Sequence, residues 1–145
     1  MKDKIFLLSV DEYCKYANKI PFCSAWWWLR TTYKTSQWQR AFRVTGNGGG
    51  VFRSTVSDTN AVRPALDIRD LFFEKDKFEH LGVEWIKLSN RLAIAERPIF
   101  DSVFDTSEKD YEHSEIRKKL LAWYEKRLTA ISPCERRQKK DLKGE

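Results

Sequence analysis

The chain has 145 residues, of which 41% are hydrophobic, 14% aromatic and 33% charged, with a formal net charge of +6. This length predicts one domain with a core large enough to fold without disulfide or metal staples. No apolar segment approaches the length of a membrane-spanning helix, and the apolar run after Met1–Lys4 is too short for a signal peptide. We therefore expect a cytoplasmic protein that does not enter a membrane.

The basic excess lies in the first half of the chain. Residues 1–69 carry 11 Lys and Arg against 5 Asp and Glu, whereas residues 70–145 carry 16 of each. Arginine dominates this excess and favours planar or stacked recognition, although a solvated surface with chance clustering explains the same distribution. The three cysteines, Cys14, Cys23 and Cys134, are odd in number and lack metal-type spacing, so we expect reduced thiols and no zinc site.

The first half predicts a strand, a helix and then a series of strands. Ile5–Leu8 is a buried strand, and Ser9 with Glu12 matches a capping box for a helix that ends near Asn18. Three consecutive tryptophans open a strand at Trp26–Thr31, which we expect to be buried on both faces, and residues 32–38 are a polar loop. The remaining predicted strands of this half are Ala41–Thr45 and Val51–Val56, joined by a glycine-rich turn at 46–50, and Val62–Ile68, which Pro64 limits to a strand start, an edge or a bulge.

The second half predicts a hairpin and a long helix. After a connector at 70–78, Val83–Leu88 alternates like a half-buried strand and Leu92–Ala95 pairs back onto it. Residues 101–113 are a polar loop, and apolar residues at helical spacing run from Ser114 to Ile131. Residues 132–145 form a basic tail that we expect to be disordered, which leaves a single domain at 1–131. This order of elements predicts an α+β fold with helices packed on an antiparallel sheet.

The predicted elements carry motifs of a known family. Lys4–Tyr13 (KIFLLSVDEY), Trp27–Arg30 (WWLR) and Val62–Leu66 (VRPAL) resemble the C-terminal half of an uncharacterised bacterial and phage domain family, which is similar to C-type-lectin-like folds. Thr31 and Ala61 depart from the serine and glycine usual in that family. The segments that resemble its N-terminal half are Gly82–Leu88, Leu92–Ala95 with Phe100-Asp101, and Tyr111–Leu120.

The two halves stand in the reverse of the family's order, since residues 1–68 match its C-terminal half and residues 78–128 its N-terminal half. The resemblance implies a C-type-lectin-like α+β fold, with a twisted antiparallel sheet flanked by two helices, in circularly permuted order. The first and last strands of such folds are antiparallel neighbours, so Val62–Ile68 is expected to pair with Val83–Leu88, and close termini permit permutation. The rival interpretation is two half-domains that are completed by swapping with a second chain, which makes the protein either a monomer or a swapped dimer.

The resemblance also implies a binding face within Thr31–Ala61. Arginine and aromatic side chains of the kind that dominate protein-binding hot spots lie in and beside this segment. The expected contact residues are Arg30, Tyr33, Trp38, Arg40, Arg43, Asn47, Arg53 and Asn60. The alternative for Tyr33 and Trp38 is that they cover the core beneath a loop.

The residues favour no cofactor and no catalytic set. Calcium needs a cluster of hard oxygen ligands, and this region offers only Asp58, Asn60 and Asp67. His80 and His113 lie in a connector and a loop, with no nucleophile spaced to use either. We therefore expect a protein without a metal site and without enzymatic activity.

Three functions from different classes remain open at this point. The leading hypothesis is a binding module that holds a protein partner. The second is a nucleic-acid or ribonucleoprotein binder that uses Arg30–Arg69 and the basic tail, with binding that falls steeply with salt; one variant of it is a phage- or mobile-element-encoded inhibitor of a host nuclease. The third is a hydrolase, which requires a deep pocket lined by convergent polar groups.

Overall fold

The computed structural model describes residues 3–34, 39–46, 48–106 and 110–130. Within them the chain is an α+β protein with two α-helices and two five-stranded sheets. The strands pair antiparallel except at one short parallel contact, so the coarse prediction of an α+β fold with mostly antiparallel pairing is confirmed. The predicted tail at 132–145 lies outside the described residues.

The strands are β1 (Ile5–Phe6), β2 (Trp27–Lys34), β3 (Gln39–Val44), β4 (Val51–Thr55), β5 (Thr59–Val62), β6 (Ala65–Asp67), β7 (Lys77–His80), β8 (Val83–Lys87), β9 (Leu92–Ala95) and β10 (Phe100–Val103). The α-helices are α1 (Val10–Tyr16) and α2 (Glu115–Ala130), and short 3₁₀ turns cover Ala17–Lys19 and Tyr111–His113. The first sheet has the order β1-β6-β9-β8-β7, and the second has the order β10-β5-β2-β3-β4.

The tryptophans of β2 place the two helices on opposite faces of the second sheet. Trp27 and Trp28 are both fully buried. Trp27 meets Tyr13 of α1 edge-on, with ring centres 5.5 Å apart. Trp28 meets Phe104 at 5.4 Å, in the core that also contains Ile116 of α2. Because neighbouring side chains on a strand point to opposite faces, each tryptophan enters a different core, and the prediction of a strand buried on both faces is confirmed.

Two local sequence signals produce the structures they predict. Ser9 N–H donates to Glu12 Oε1 at 2.8 Å and Glu12 N–H donates to Ser9 Oγ at 3.1 Å, which completes the capping box of α1. Strands β3 and β4 form the predicted hairpin around the glycine-rich turn. Gly49 has a φ of 66°, a left-handed conformation that glycine adopts without the strain of a side chain.

The predicted strand at Val62–Ile68 is wrong as a single element. The chain breaks at Pro64, so that β5 belongs to the second sheet and β6 to the first. The expected pairing of this segment with Val83–Leu88 is also wrong, because β9 lies between β6 and β8, with Leu66 opposite Ala93. The hairpin of β8 and β9 presents its β9 edge, and not its β8 edge, to β6.

Three segments predicted as loop or connector contain strands. The loop predicted at 32–38 includes the last residues of β2, which run to Lys34, and residues 35–38 lie outside the described part. The connector at 70–78 leads into β7, and the loop at 101–113 includes most of β10, which pairs with β5. These segments mix polar and apolar residues without a long alternating pattern, and a strand partner supplied by the fold decides their conformation.

Arg63 joins the two sheets at the point where the chain passes from one to the other. Its guanidinium is 0% exposed. Nε and Nη2 donate to the carbonyls of Ala95 and Glu96, both at 2.8 Å, and Nη1 donates to Pro21 O at 3.0 Å. The guanidinium carbon also lies 5.2 Å from the ring centre of Trp27. One side chain therefore connects the end of β9, the segment before β2 and the buried face of β2.

Replacing Arg63 with Met should lower the free energy of unfolding by about 3 kcal/mol, because one buried and two partly buried carbonyls lose their charged donor. Urea denaturation followed by tryptophan fluorescence measures this change. Arg69→Met is the matched control: exposed Arg69 pairs with Asp67 at 2.7 Å, two residues away, and its loss should barely move the urea midpoint. Similar midpoints for the two variants would contradict a bridging role for Arg63.

Candidate binding surface

The predicted contact residues that the structure describes lie on the second sheet, and strand alternation divides all of them except Arg30 between its two faces. Arg40 and Arg43 are three residues apart on β3, so their side chains point in opposite directions. Arg43 stands opposite Phe52 of β4, and Arg40 stands opposite Thr55. The structure thus separates residues that the sequence placed on one face. Of the predicted set, Trp38 and Asn47 lie outside the described residues.

The first face is built on a stacked tryptophan and arginine. The guanidinium carbon of Arg43 lies 4.0 Å from the ring centre of Trp26. Arg43 Nη1 donates to Asn60 Oδ1 at 3.2 Å. Trp26 is 42% exposed and Phe52, beside Arg43, is 60% exposed. These four residues, Trp26, Arg43, Phe52 and Asn60, form what we call the Trp26 face.

Buried polar contacts hold Asn60 in position beneath this face. Asn60 Nδ2 donates to Ser54 Oγ at 3.4 Å, and Ser54 Oγ donates to Asp58 Oδ2 at 2.9 Å. Arg43 Nε is buried and has no hydrogen-bond partner among the described residues. The guanidinium of Arg43 is therefore oriented by Asn60 and by the indole ring, while one of its donors remains unused.

The structure places Trp26 differently from the sequence prediction. We predict from the sequence that Trp26 is a core residue of the strand, but β2 begins at Trp27 and Trp26 is exposed on the sheet surface. Phe52 is likewise absent from the predicted contact residues. On β4 polarity and burial are inverted, since Phe52 is exposed whereas Ser54, on the same face, is 2% exposed. Hydrophobicity alone therefore carries no signal for either aromatic residue.

The second face carries the other two strand arginines. The guanidinium carbon of Arg53 lies 4.8 Å from the ring centre of Tyr33. Arg40 stands opposite Tyr33 in the β2–β3 register and donates from Nη1 to Thr55 Oγ1 at 3.1 Å. We call these residues, Tyr33, Arg40, Arg53 and Thr55, the Tyr33 face. Tyr33 is exposed and pairs with an arginine, and it belongs to neither buried core.

Arg30 is separate from both faces. Its Nη1 donates to Leu7 O at 2.8 Å and forms an ion pair with Glu12, and its guanidinium lies 5.7 Å from the Phe6 ring centre. These contacts fasten the start of α1 to β2. The structure therefore gives Arg30 a clear role in packing.

All residues of the two faces except Asn60 lie in a stretch without acidic residues, which ends before Asp58. Residues 13–57 include no Asp or Glu. The Lys and Arg residues of the same segment are Lys15, Lys19, Arg30, Lys34, Arg40, Arg43 and Arg53. A surface with one sign of charge attracts partners of the opposite sign and speeds their association. Both faces therefore favour an acidic partner.

A polar groove lies elsewhere, between the end of β2 and the start of α2. It has a volume of about 830 Å³ and is lined by residues that include Thr32, Lys34, His113 and Lys118. His113 Nδ1 lies 2.8 Å from Asp110 Oδ1, and this hydrogen bond lowers the pKa of Asp110. The groove is open to solvent. Among the described residues, no three His, Cys, Asp or Glu side chains are grouped so that they could hold a metal ion.

Comparison with known proteins places the chain in no family. It matches no protein-family model, no curated protein and no solved structure at a significant level. Within the described residues, neither helix combines the length and the apolar character needed to cross a membrane.

The ion pair of Glu12 with Arg30 makes stability depend on pH. Burial alone would raise the pKa of Glu12, but hydrogen bonds from Arg30 and Ser9 outweigh it and hold the pKa below its ordinary value of 4.5. Ionised Glu12 therefore stabilises the fold fully above pH 4.5, and this contribution is lost as the pH falls through the lowered folded pKa.

Glu12→Gln keeps the oxygen that accepts from Ser9 and removes only the charge. Its urea midpoint should lie below that of the wild type at neutral pH, and the two midpoints should converge in acid as the pH falls through the lowered folded pKa of Glu12. Glu74→Gln, at an exposed position before β7, should match the wild type throughout. If the urea midpoint of Glu12→Gln stays equally far below that of the wild type in acid, the charge of Glu12 does not have this stabilising role.

Proposed function

We propose that this protein is a non-enzymatic binding module that recognises a protein partner through the strands and loops of residues 30–61 together with the preceding Trp26, and that the Trp26 face is at the centre of the contact. The observation that carries the proposal is the exposed stack of Trp26 on Arg43 beside exposed Phe52. Tryptophan and arginine are enriched among the few interface residues that supply most of the binding energy.

The arrangement of the face favours a protein over a small molecule. Exposed rings on a sheet surface form an apolar patch of the kind that marks protein interaction sites, whereas small ligands bind in concave pockets. The hydrogen bond from Arg43 to Asn60 orders the guanidinium before any partner arrives. Preorganised side chains lose less conformational entropy on binding, which improves affinity.

We further propose a lectin-like fold whose two halves stand in permuted order. The VRPAL motif is divided between β5 and β6, and β6 does not pair with β8 as expected for such a fold. It pairs instead with β9 of the same hairpin inside one sheet, which supports halves that complete each other within a single chain.

A pull-down from cells of the source organism tests the protein-binding proposal. Trp26→Ala and Arg43→Ala should each reduce recovery of the partner at least tenfold, because truncating a hot-spot residue costs about 2 kcal/mol or more. Quantitative mass spectrometry of the recovered proteins measures the loss.

Phe72→Ala serves as the matched control, since Phe72 is also an exposed aromatic residue but precedes β7 in the first sheet. It should recover the same partner as the wild type. A partner that all three variants retain would place the interface elsewhere and contradict the proposal.

A second candidate function, nucleic-acid binding, is favoured by the acid-free segment 13–57 with its seven Lys and Arg residues. Arginines that stack on rings also contact phosphates and bases, and such binding weakens as counterions accumulate. If three arginines neutralise phosphates of a single strand, the logarithm of affinity should fall with the logarithm of salt with a slope of about −2.

A gel shift with a single-stranded oligonucleotide at low and at physiological salt tests this candidate. The expected result is a shift at low salt that is lost at physiological salt and is weakened by Arg40→Ala with Arg53→Ala. No shift at low salt would discard nucleic-acid binding and would leave the protein-binding proposal intact.

A further inference from the structure

Strand β4 forms one edge of the second sheet. Among the described residues it pairs with β3 alone, whereas β10, at the opposite edge, packs against α2. An edge strand presents unpaired backbone N–H and C=O groups along its free side, and another strand can pair with them.

The hydrogen-bond pattern of the hairpin shows which groups of β4 face inwards. Thr45 N–H donates to Gly50 O at 2.8 Å, which identifies a hydrogen-bonded pair next to the turn. Hydrogen-bonded and non-hydrogen-bonded pairs alternate along antiparallel strands. In the β3–β4 register this assigns the inward backbone groups to Phe52 and Ser54.

The same alternation directs the backbone groups of Val51 and Arg53 away from the sheet. The next outward carbonyl, that of Thr55, already accepts from Asp58 N–H at 2.9 Å, where the chain turns towards β5. Two residues separated by one position, each with an outward N–H and C=O, are what an added strand needs in order to form ladder hydrogen bonds.

The side chains of β4 offer different chemistry on the two faces. Phe52 lies on the Trp26 face and is exposed, whereas Arg53 stacks on Tyr33 on the Tyr33 face. The free edge of the first sheet differs, because β7 exposes both Lys77 and Glu79, and charges of both signs discourage a single type of partner. The β4 edge combines an apolar side with a cationic side and has no acidic residue.

Resting on the protein-binding function proposed above, we propose that the partner supplies an extended acidic segment that adds to β4 as a sixth strand of the second sheet. Backbone hydrogen bonds to Val51 and Arg53 set its position, as in other cases of strand addition. Its acidic side chains alternate towards Arg53 and Arg40, and its apolar side chains towards Phe52. Charge complementarity with the acid-free segment 13–57 selects an acidic strand.

The probe is a short fluorescent peptide with blocked termini in which glutamate and valine alternate, and the readout is fluorescence anisotropy with the full-length chain. In an extended strand, all glutamate N–H groups face one side and all valine N–H groups face the other. Two N-methylated isomers, one methylated on every glutamate and one on every valine, therefore block opposite edges. One isomer should bind at least tenfold more weakly than the other, and lysine in place of glutamate should abolish binding.

Variants of β4 test the same geometry from the protein side. Arg53→Thr and Arg53→Pro both lose the guanidinium, but only Arg53→Pro loses the outward N–H, which does not bond to β3. Arg53→Pro should bind the peptide at least fivefold more weakly than Arg53→Thr. Thermal denaturation checks that both variants fold, and backbone amide hydrogen exchange of the wild type should show new protection at Val51 and Arg53 when the peptide is bound.

The outcomes separate this proposal from the function on which it rests. Equal binding of the two isomers, or no binding at about 1 mM peptide, would overturn strand addition, as would protection of these amides by an oligonucleotide and not by the peptide. If Trp26→Ala loses the pull-down partner but the peptide does not bind, the protein-binding function stands and only strand addition at β4 is excluded. If the peptide adds to β4 while Trp26→Ala retains every partner, the Trp26 face is excluded instead.

Discussion

The rest of the structure depends on the hydrogen bonds that the buried guanidinium of Arg63 donates. The chain leaves the second sheet at Val62 and enters the first at Ala65. The backbone carbonyls of Pro21, Ala95 and Glu96 meet at this crossing and need donors. Arg63 supplies three donors from a fully buried position and lies against the ring of Trp27. Because β5 ends at this crossing, Arg63 also helps to hold β5 beside β2, where Asn60 orients Arg43.

A second constraint follows from the period of a strand. The arginines of β3 and β4 occupy positions of both parities, so they cannot share one face. The result is a sheet with two unlike surfaces, one of exposed rings around Arg43 and one of arginines around Tyr33. The two surfaces meet at the free edge of β4, so the proposed strand addition would combine apolar contacts on one side with ion pairs on the other.

The elements that sequence reasoning predicted well depend on contacts between neighbouring residues. The capping box of Ser9 and Glu12 closes over three positions, and the β3–β4 hairpin closes over a glycine-rich turn. The strand at Trp27 was recognisable because adjacent large apolar side chains require a core on each face. The predictions that were wrong depended on distant partners: β10 is a strand because β5 lies beside it, and β9 replaces β8 as the neighbour of β6.

The sequence by itself determined the α+β class, the capped first helix, the hairpin and the position of the basic, acid-free segment, because each of these follows from local chemistry or composition. Only the tertiary structure decided which side chains of that segment are available. Trp26 and Phe52 are exposed and Ser54 is buried. Which of these positions other parts of the chain cover depends on the tertiary fold, and no local sequence pattern carries that information. Arg30 is engaged with Glu12 and Arg43 with Trp26 for the same reason, since the groups that meet there come from separate elements.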